Sequence, residues 1–283
     1  MSTNQDPLGP LRGHPFLIMD GAGNDFVIAD LRNGGVMTEA AAIELGDREG
    51  MWGADQIIAL RQKGGKPLME IRNTDGSVAG ACGNAARCVA SILFEETDDE
   101  TVTFGSPSGD LHAERLEESN VQVNMGPPRL EWQDVPLAEE AEDTRFVELP
   151  QGLLGPFGLK PPSCLSMGNP HAVFFVPDAD KAEIEVFGPV IETNAAFPDR
   201  VNVSVASLTK EGLRVRTWER GVGMTRACGT AACASLVSAV RRNLVPRQAE
   251  IRADGGFIDI TWDEETNDVL MAGPVHLHRK GRF

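Results

Sequence analysis

Two cysteines fall in repeated motifs and are the residues best suited to chemistry in this chain. Cys82 lies in A-C-G-N-A-A-R-C, and Cys228 lies in A-C-G-T-A-A-C. The interval between them recurs, to within one residue, between Gly23 and Gly168, each of which precedes an asparagine. A repeated interval indicates an internal duplication. We therefore expect two similar halves whose cysteines approach one ligand from opposite sides.

Each repeated cysteine comes directly before a glycine and a short polar residue that open an apolar helix. The free N–H groups and the dipole of a helix N-terminus stabilise an anion, so we expect the pKa of both thiols to be lowered. Two thiols that face one carbon could remove a proton from one side and deliver a proton to the other, which inverts configuration. The α-hydrogen of an amino acid is only weakly acidic, so this reaction needs a dry, preorganised site.

Cys88, Cys164 and Cys233 are expected to be buried as small hydrophobic residues. The five cysteines form an odd set, which predicts free thiols and not a disulfide framework. Their spacing does not match structural zinc motifs, so no metal is expected. The lone G-A-G at Gly21–Gly23 lacks the rest of a dinucleotide-binding motif, and no cofactor is expected.

The net charge of −16 argues against a nucleic-acid partner, because a phosphate-binding surface needs clustered Lys and Arg. The polar N-terminus, M-S-T-N-Q-D-P-L-G-P, has no apolar core of a secretory signal. No stretch is long and apolar enough to span a bilayer, so no membrane partner is expected. We predict a soluble, cytoplasmic protein.

Apolar, β-rich runs bounded by turn residues predict strands throughout the chain. These lie at Phe16–Met19, Asp25–Ala29, Gln56–Leu60, Leu68–Arg72, Thr101–Phe104, Val121–Met125, Ala172–Val176, Arg214–Trp218, Ala249–Arg252 and Phe257–Trp262. The two clearest helices, Gly83–Glu95 and Gly229–Arg242, are apolar nearly all round, which predicts helices enclosed by strands. The predicted class is α/β (α+β). Residues 1–127 form the first half, residues 128–273 the second, and residues 274–283 return to the first.

The ordered motifs resemble those of diaminopimelate epimerase, over nearly the whole chain. They are D-G-A-G-N-D-F-V-I-A-D, R-N-T-D-G-S, A-C-G-N-A-A-R-C, M-G-N-P-H-A-V-F-F, R-V-N-V and W-E-R-G-V-G-M-T-R-A-C-G-T-A-A-C-A. The resemblance implies two halves related by a pseudo-twofold axis, each a barrel-like, mostly antiparallel sheet around a central helix. It also implies a homodimer that interconverts LL- and meso-diaminopimelate without a cofactor, for lysine and cell-wall precursor synthesis.

The resemblance further implies roles for individual residues. Cys82 and Cys228 correspond to the two catalytic bases, and His171 and Glu219 are the further catalytic candidates. Substrate contacts are implied for Asn24, Gln56, Asn73, Gly83, Asn84, Asn169, Asn202, Glu219, Arg220, Gly229 and Thr230. Backbone N–H groups at the two helix starts could bind the reacting carboxylate, and Arg220, a rigid cationic fork, suits a distal carboxylate. Asp20, where the family often has His, and Gly80–Ala81, where it often has a larger pair, depart from the pattern.

Three other functions compete with this one. A proline or hydroxyproline racemase uses a similar pair of thiols, but its compact substrate has no need of Arg220, and that family tends to place His where this chain has Asn84. A cysteine hydrolase with His171 as base would form an acyl-enzyme and would not need two equivalent thiols. An amino-acid-binding protein would have no use for ionisable sulfurs at both helix starts.

If the thiols share one carbon, mild oxidation could join Cys82 to Cys228 and inactivate the enzyme.

Overall fold

The computed structural model describes residues 6–80, 82–117, 120–150 and 152–283. Ala81, the first residue of the first cysteine motif, lies outside the described residues, as do the first five residues of the polar N-terminus. The chain divides into two compact units. Unit 1 comprises residues 1–123 and 273–283, and unit 2 comprises residues 124–272.

Unit 1 is built from strands with two helices. Its elements, in chain order, are β1 (Pro15–Gly21), β2 (Asn24–Asp30), α1 (Glu39–Gly46), β3 (Gln56–Lys63), β4 (Lys66–Asn73), β5 (Val78–Ala79), α2 (Gly83–Phe94), β6 (Thr101–Ser106), β7 (Gly109–Arg115) and β8 (Asn120–Asn124). The strand order β1-β2-β3-β4-β6-β7-β8 continues to the C-terminal strand of the chain, which also pairs with β1. The sheet of unit 1 is therefore a closed barrel.

Unit 2 repeats this series. Its elements are β9 (Ser163–Ser166), β10 (Pro170–Phe175), α3 (Ile184–Glu192), β11 (Asn202–Leu208), β12 (Gly212–Glu219), β13 (Gly223–Thr225), α4 (Gly229–Arg241), β14 (Gln248–Arg252), β15 (Phe257–Trp262) and β16 (Val269–Arg282). The strand order is β9-β10-β11-β12-β14-β15-β16. Only the first four residues of β16 belong to unit 2, and its remainder is the strand that closes unit 1.

The two units match strand by strand. β2 and β3 are parallel, as are β10 and β11, and β4 and β6 are parallel, as are β12 and β14. The register places Phe26 opposite Gln56 in unit 1 and His171 opposite Asn202 in unit 2. β4 ends at Asn73, and the equivalent strand β12 ends at Glu219. The duplication is thus present in the fold itself.

The two long helices lie inside their sheets. In α2 every residue except Ser91 is buried, and in α4 every residue from Gly229 to Ala239 is buried. Their many alanines and glycines let strands approach closely, and each fully buried Val or Leu contributes about 1.5–3 kcal/mol. The predicted α/β class, with a barrel-like, mostly antiparallel sheet around a central helix in each half, is confirmed.

The structure also contains elements that the hydrophobic pattern does not predict. Both short helices are among them: α1 is only eight residues long, and α3 contains Pro189. The unpredicted strands include β7, whose residues are mostly polar and exposed, and β11, which is buried along all but its last residue although several of its residues are polar. None of the helices in the described part of the chain is long and apolar enough to cross a membrane.

Candidate functional site

Cys82 lies at the N-cap of α2, where the chain is still extended. Its sulfur accepts a hydrogen bond from the backbone N–H of Ala85 at 3.5 Å, so the thiol group itself caps the helix. The side-chain oxygen of Asn24 lies 3.9 Å from the same sulfur. The thiol is partly buried, in contact with both a helix N-terminus and an amide.

Asn24 is held in place by Asp55, which precedes β3, and the turn before Asn24 is held by Asp20, at the end of β1. Its amide nitrogen donates to Asp55 Oδ2 at 2.9 Å, and the backbone N–H of Asp25 donates to the same oxygen. Asp20 accepts from the backbone N–H of Gly23 at 3.2 Å and pairs with His278 at 2.7 Å. The turn that leads into Asn24 is therefore fixed by two carboxylates. One of these is Asp20, a departure from the family pattern.

Gln56 and Asn73 lie opposite each other on β3 and β4. The Gln56 amide nitrogen donates to Asn73 Oδ1 at 3.1 Å, and the Asn73 amide nitrogen donates to the Ser77 hydroxyl at 3.0 Å. Both amides are partly buried. Gln56 follows Asp55 directly, so this pair adjoins the carboxylate that holds Asn24.

Gly83 and Asn84 form the first turn of α2 and are both buried. Asn84 is 1% exposed, and within the described residues neither polar atom of its side chain has a hydrogen-bond partner. An unsatisfied buried amide is costly, which makes Asn84 a group that favours contact with a polar ligand.

Cys228 occupies the equivalent N-cap position on α4, beside two polar side chains. The Thr230 hydroxyl lies 3.4 Å from its sulfur. Burial raises the pKa of the Cys228 thiol well above its usual value, the negative charge of Glu219 raises this pKa further, and the Thr230 hydroxyl opposes the change. The prediction that the helix N-terminus lowers the pKa of this thiol is wrong for Cys228, because desolvation and a neighbouring carboxylate outweigh the helix dipole.

Glu219, at the end of β12, accepts a hydrogen bond from the Thr225 hydroxyl at 2.5 Å. Thr225 belongs to β13, which pairs antiparallel with the end of β12. The carboxylate of Glu219 is thus directed by its own strand, by Thr225 and by its contact with the Cys228 thiol.

A chain of hydrogen bonds leads from Cys228 to His171. Thr230 Oγ1 accepts from the Asn169 amide nitrogen at 3.2 Å, and Asn169 Oδ1 lies 3.0 Å from His171 Nε2. His171 is fully buried, and burial, followed by the positive charge of Arg220, lowers its pKa to about 3. At neutral pH the imidazole is therefore uncharged, and in this arrangement it orients Asn169.

Asn202 connects this region to Arg220. Its amide nitrogen donates to the Pro170 carbonyl at 2.9 Å, and its amide oxygen accepts from the backbone N–H of Arg220 at 2.9 Å. The guanidinium of Arg220 is exposed and donates to the Asp199 carbonyl at 3.1 Å. Asn202 therefore orients the backbone of the turn, while the charged end of Arg220 remains at the surface.

The remaining three cysteines are fully buried, as expected. Burial raises the pKa of the Cys88 thiol above its usual value and that of Cys164 to about 12. The described residues contain no group of three or more His, Cys, Asp or Glu side chains arranged to hold a metal ion.

Each half thus brings part of the predicted set together. Asn24 meets Cys82 in unit 1, and Gln56 meets Asn73. In unit 2, one set of contacts joins Cys228, Glu219, Thr230, Asn169 and His171, and Asn202 joins Arg220. Sequence reasoning missed Asp55 and Thr225. Thr225 stands inside the last quoted motif, three residues before Cys228, and Asp55 lies one residue before Gln56.

Comparison with known proteins identifies the family. The sequence profile described as Diaminopimelate epimerase matches twice, at residues 16–131 and 163–278. A protein from Acidiphilium cryptum (strain JF-5) named Diaminopimelate epimerase is 47% identical over 272 residues, which cover 95% of this chain and 96% of that protein. A protein of the same name from Rhodospirillum centenum is 46% identical over 265 residues, covering 92% and 89%.

Solved structures share the fold. A phenazine biosynthesis protein of the PhzF family from Enterococcus faecalis superimposes with a TM-score of 0.69 at 17% identity, covering 95% of this chain and 98% of that one. The family profile and the relatives named above define an enzyme of the isomerase class, an epimerase. Within that class, the chain belongs to the diaminopimelate epimerase family.

Proposed function

We propose that the protein interconverts LL- and meso-diaminopimelate without a cofactor, with Cys82 and Cys228 acting on opposite faces of one α-carbon. The observation that carries this proposal is the equivalence of the two cysteines, each at the N-cap of the central helix of its half. The names of the relatives supply the substrate. The product would serve lysine and cell-wall precursor synthesis.

Two thiols in different protonation states suit the chemistry. One sulfur, as thiolate, takes the α-proton, and the other, as thiol, delivers a proton to the opposite face, so the two exchange states in each turnover. The raised pKa of Cys228 favours the protonated form, which suits the proton donor in the resting enzyme. In the reverse direction Cys228, left as thiolate by the forward turnover, takes the α-proton while Cys82 delivers one, and the neighbouring Glu219 carboxylate makes Cys228 the stronger base.

Charge on the intermediate would be stabilised by helix starts. Backbone N–H groups at Gly83–Asn84 and Gly229–Thr230 can bind the carboxylate of the reacting carbon, as preorganised donors that need no rearrangement. The buried Asn84 amide, with its unused polar atoms, supports this assignment. Glu219 and the side chains of Asn24, Gln56, Asn73, Asn169 and Asn202 are proposed to bind ammonium and carboxylate groups. We assign the distal carboxylate of the substrate to Arg220, whose exposed guanidinium can donate two parallel hydrogen bonds to it.

We further propose that the enzyme is a cytoplasmic homodimer with no nucleic-acid or membrane partner. The net charge of −16 supports the absence of a nucleic-acid partner. Sedimentation velocity would test the dimer, with a single monomeric species as the contrary result.

The decisive experiment follows solvent exchange in deuterated water. LL-diaminopimelate is incubated with protein that has been dialysed against a chelator, with no pyridoxal phosphate added, and ¹H NMR follows the α-hydrogen. We expect loss of the α-hydrogen signal together with formation of the meso isomer. Proline, run in parallel, should keep its α-hydrogen. Exchange of proline alone would favour the racemase alternative, and binding of diaminopimelate without exchange would favour a binding protein.

A further inference from the structure

Glu192 is a buried carboxylate that the proposed reaction does not use. It is the last residue of α3 and is 5% exposed. Both features oppose a negative charge, because burial removes it from water and the C-terminal end of a helix dipole repels an anion. The Glu192 carboxylate is therefore stabilised in this position by the hydrogen bonds that it accepts.

Those hydrogen bonds come from either side of Glu219 and Arg220. The indole N–H of Trp218 donates to one carboxylate oxygen of Glu192 at 2.7 Å, and the backbone N–H of Gly221 donates to the other at 2.8 Å. Arg200 lies 3.6 Å from the Gly221-bound oxygen and offsets the charge. One side chain on α3 thus holds the residue before Glu219 and the residue after Arg220.

The packing of α3 against β12 reinforces this geometry. A side chain at Gly188, one turn before Glu192, would come within 2.8 Å of the Trp218 ring, so the ring lies directly on the helix. Gly221 has a φ of 75°, which favours glycine and lets its N–H point at the carboxylate. Trp218 and Gly221 are therefore fixed relative to α3 by both packing and hydrogen bonds.

We infer that Glu192 is a positioning residue: through Trp218 and Gly221 it holds the Glu219–Arg220 turn, so that the Glu219 carboxylate stays against the Cys228 thiol. This inference rests on the proposed role of Cys228. Asn202, which accepts from the Arg220 N–H, holds the middle of the same turn. Glu192 thus acts on the reaction only through its neighbours.

The test uses the Cys228 thiol as a reporter that does not depend on turnover. The rate of iodoacetamide labelling of Cys228, followed by peptide mass spectrometry against pH, gives the pKa of this thiol. Charged groups near it are Glu219, together with Arg216 and Arg226, which line the same small pocket. In Glu192→Gln and in Trp218→Phe, which keeps a smaller aromatic ring but removes the indole N–H, we expect labelling to shift to lower pH, because Glu219 is released from the sulfur.

The kinetic expectation is a fall in kcat of roughly 10-fold in Glu192→Gln, the size of one lost charge-assisted hydrogen bond, with a smaller fall in Trp218→Phe. Glu183→Gln is the matched control, because Glu183 is the N-cap residue of the same helix, is exposed and makes no side-chain capping hydrogen bond. It should retain the labelling profile and kcat of the unmodified protein.

A double variant separates this role from general stabilisation. In a Glu219→Gln background, Glu192→Gln should produce no further shift in Cys228 labelling, because the group it positions is gone. The inference is overturned if Glu192→Gln and Trp218→Phe lower Tm but leave the labelling profile unchanged. If the unmodified protein fails to epimerise diaminopimelate, the proposed function fails, while the labelling result still decides whether Glu192 holds Glu219.

Discussion

The starts of α2 and α4 carry the same residue, a cysteine at the N-cap, in different surroundings. In unit 1 the sulfur contacts a backbone N–H and the amide of Asn24. In unit 2 the sulfur also contacts a backbone N–H, that of Ala231, but its polar side-chain neighbours are the Thr230 hydroxyl and the Glu219 carboxylate. The duplication preserved the position of the thiol, and the groups that set its acidity diverged.

Equivalent strand positions show the same divergence. Where unit 2 has His171, unit 1 has Phe26, and where unit 2 has Glu219, unit 1 has Asn73. The ionisable neighbours that we assign to the reaction thus lie in the second half, and the first half supplies amides. The proposed inversion of one carbon would need unlike partners at the moment of proton transfer, and this difference would provide them.

The largest expected effect comes from removing either sulfur. Cys82→Ala and Cys228→Ala should each reduce kcat for diaminopimelate by about 100-fold or more, because each removes one partner in proton transfer. Cys88→Ala, which truncates a buried thiol in the same helix as Cys82, is the control and should retain activity. Steady-state assays measure all three. If one of the two N-cap variants kept full activity, the equivalence of the halves would be broken.

Replacing His171 should change how stability depends on pH. The native pKa is about 3 and the reference value is 6.5, so between these values the unfolded chain binds the proton and the native protein does not. The free energy of unfolding should therefore fall as pH decreases from 6.5 towards 3, by about 1.4 kcal/mol per pH unit from this residue. Urea unfolding of His171→Gln should show a shallower decline. Equal slopes in variant and unmodified protein would contradict the burial of a neutral imidazole.

The smallest expected effect is at Glu219. Glu219→Gln removes the negative charge beside Cys228, which raises the pKa of this thiol, so the pKa should fall. The labelling profile of Cys228 against pH measures the shift. The profile of Cys82 in the same sample is the internal control and should not move. An unchanged Cys228 profile would mean that burial alone sets its acidity, and the contrast between the halves would then rest on solvent exposure.

The sequence predicts the repeated features well because they are local. Gly83 and Gly229 begin helices where the motif places them. The sequence predicts a lowered pKa for Cys228, and the structure raises it. The helix N-terminus can be inferred from neighbouring residues, whereas the burial that raises the pKa depends on the whole fold. Nothing in the local sequence indicates the contacts of Glu192, because its partners Trp218 and Gly221 lie far along the chain. Only the packing of α3 on β12 brings them together.

The strand β16 belongs to both units, and this affects the order in which the molecule can assemble. Residues 273–283 complete unit 1 by pairing with β1, yet in the chain they follow the whole of unit 2. During translation the barrel of unit 1 must therefore remain open until unit 2 has been synthesised, so the unit that begins first is closed second. A nascent chain stalled before Gly273 would expose the unpaired edge of β1, and a premature stop at the same point would harm unit 1 more than unit 2.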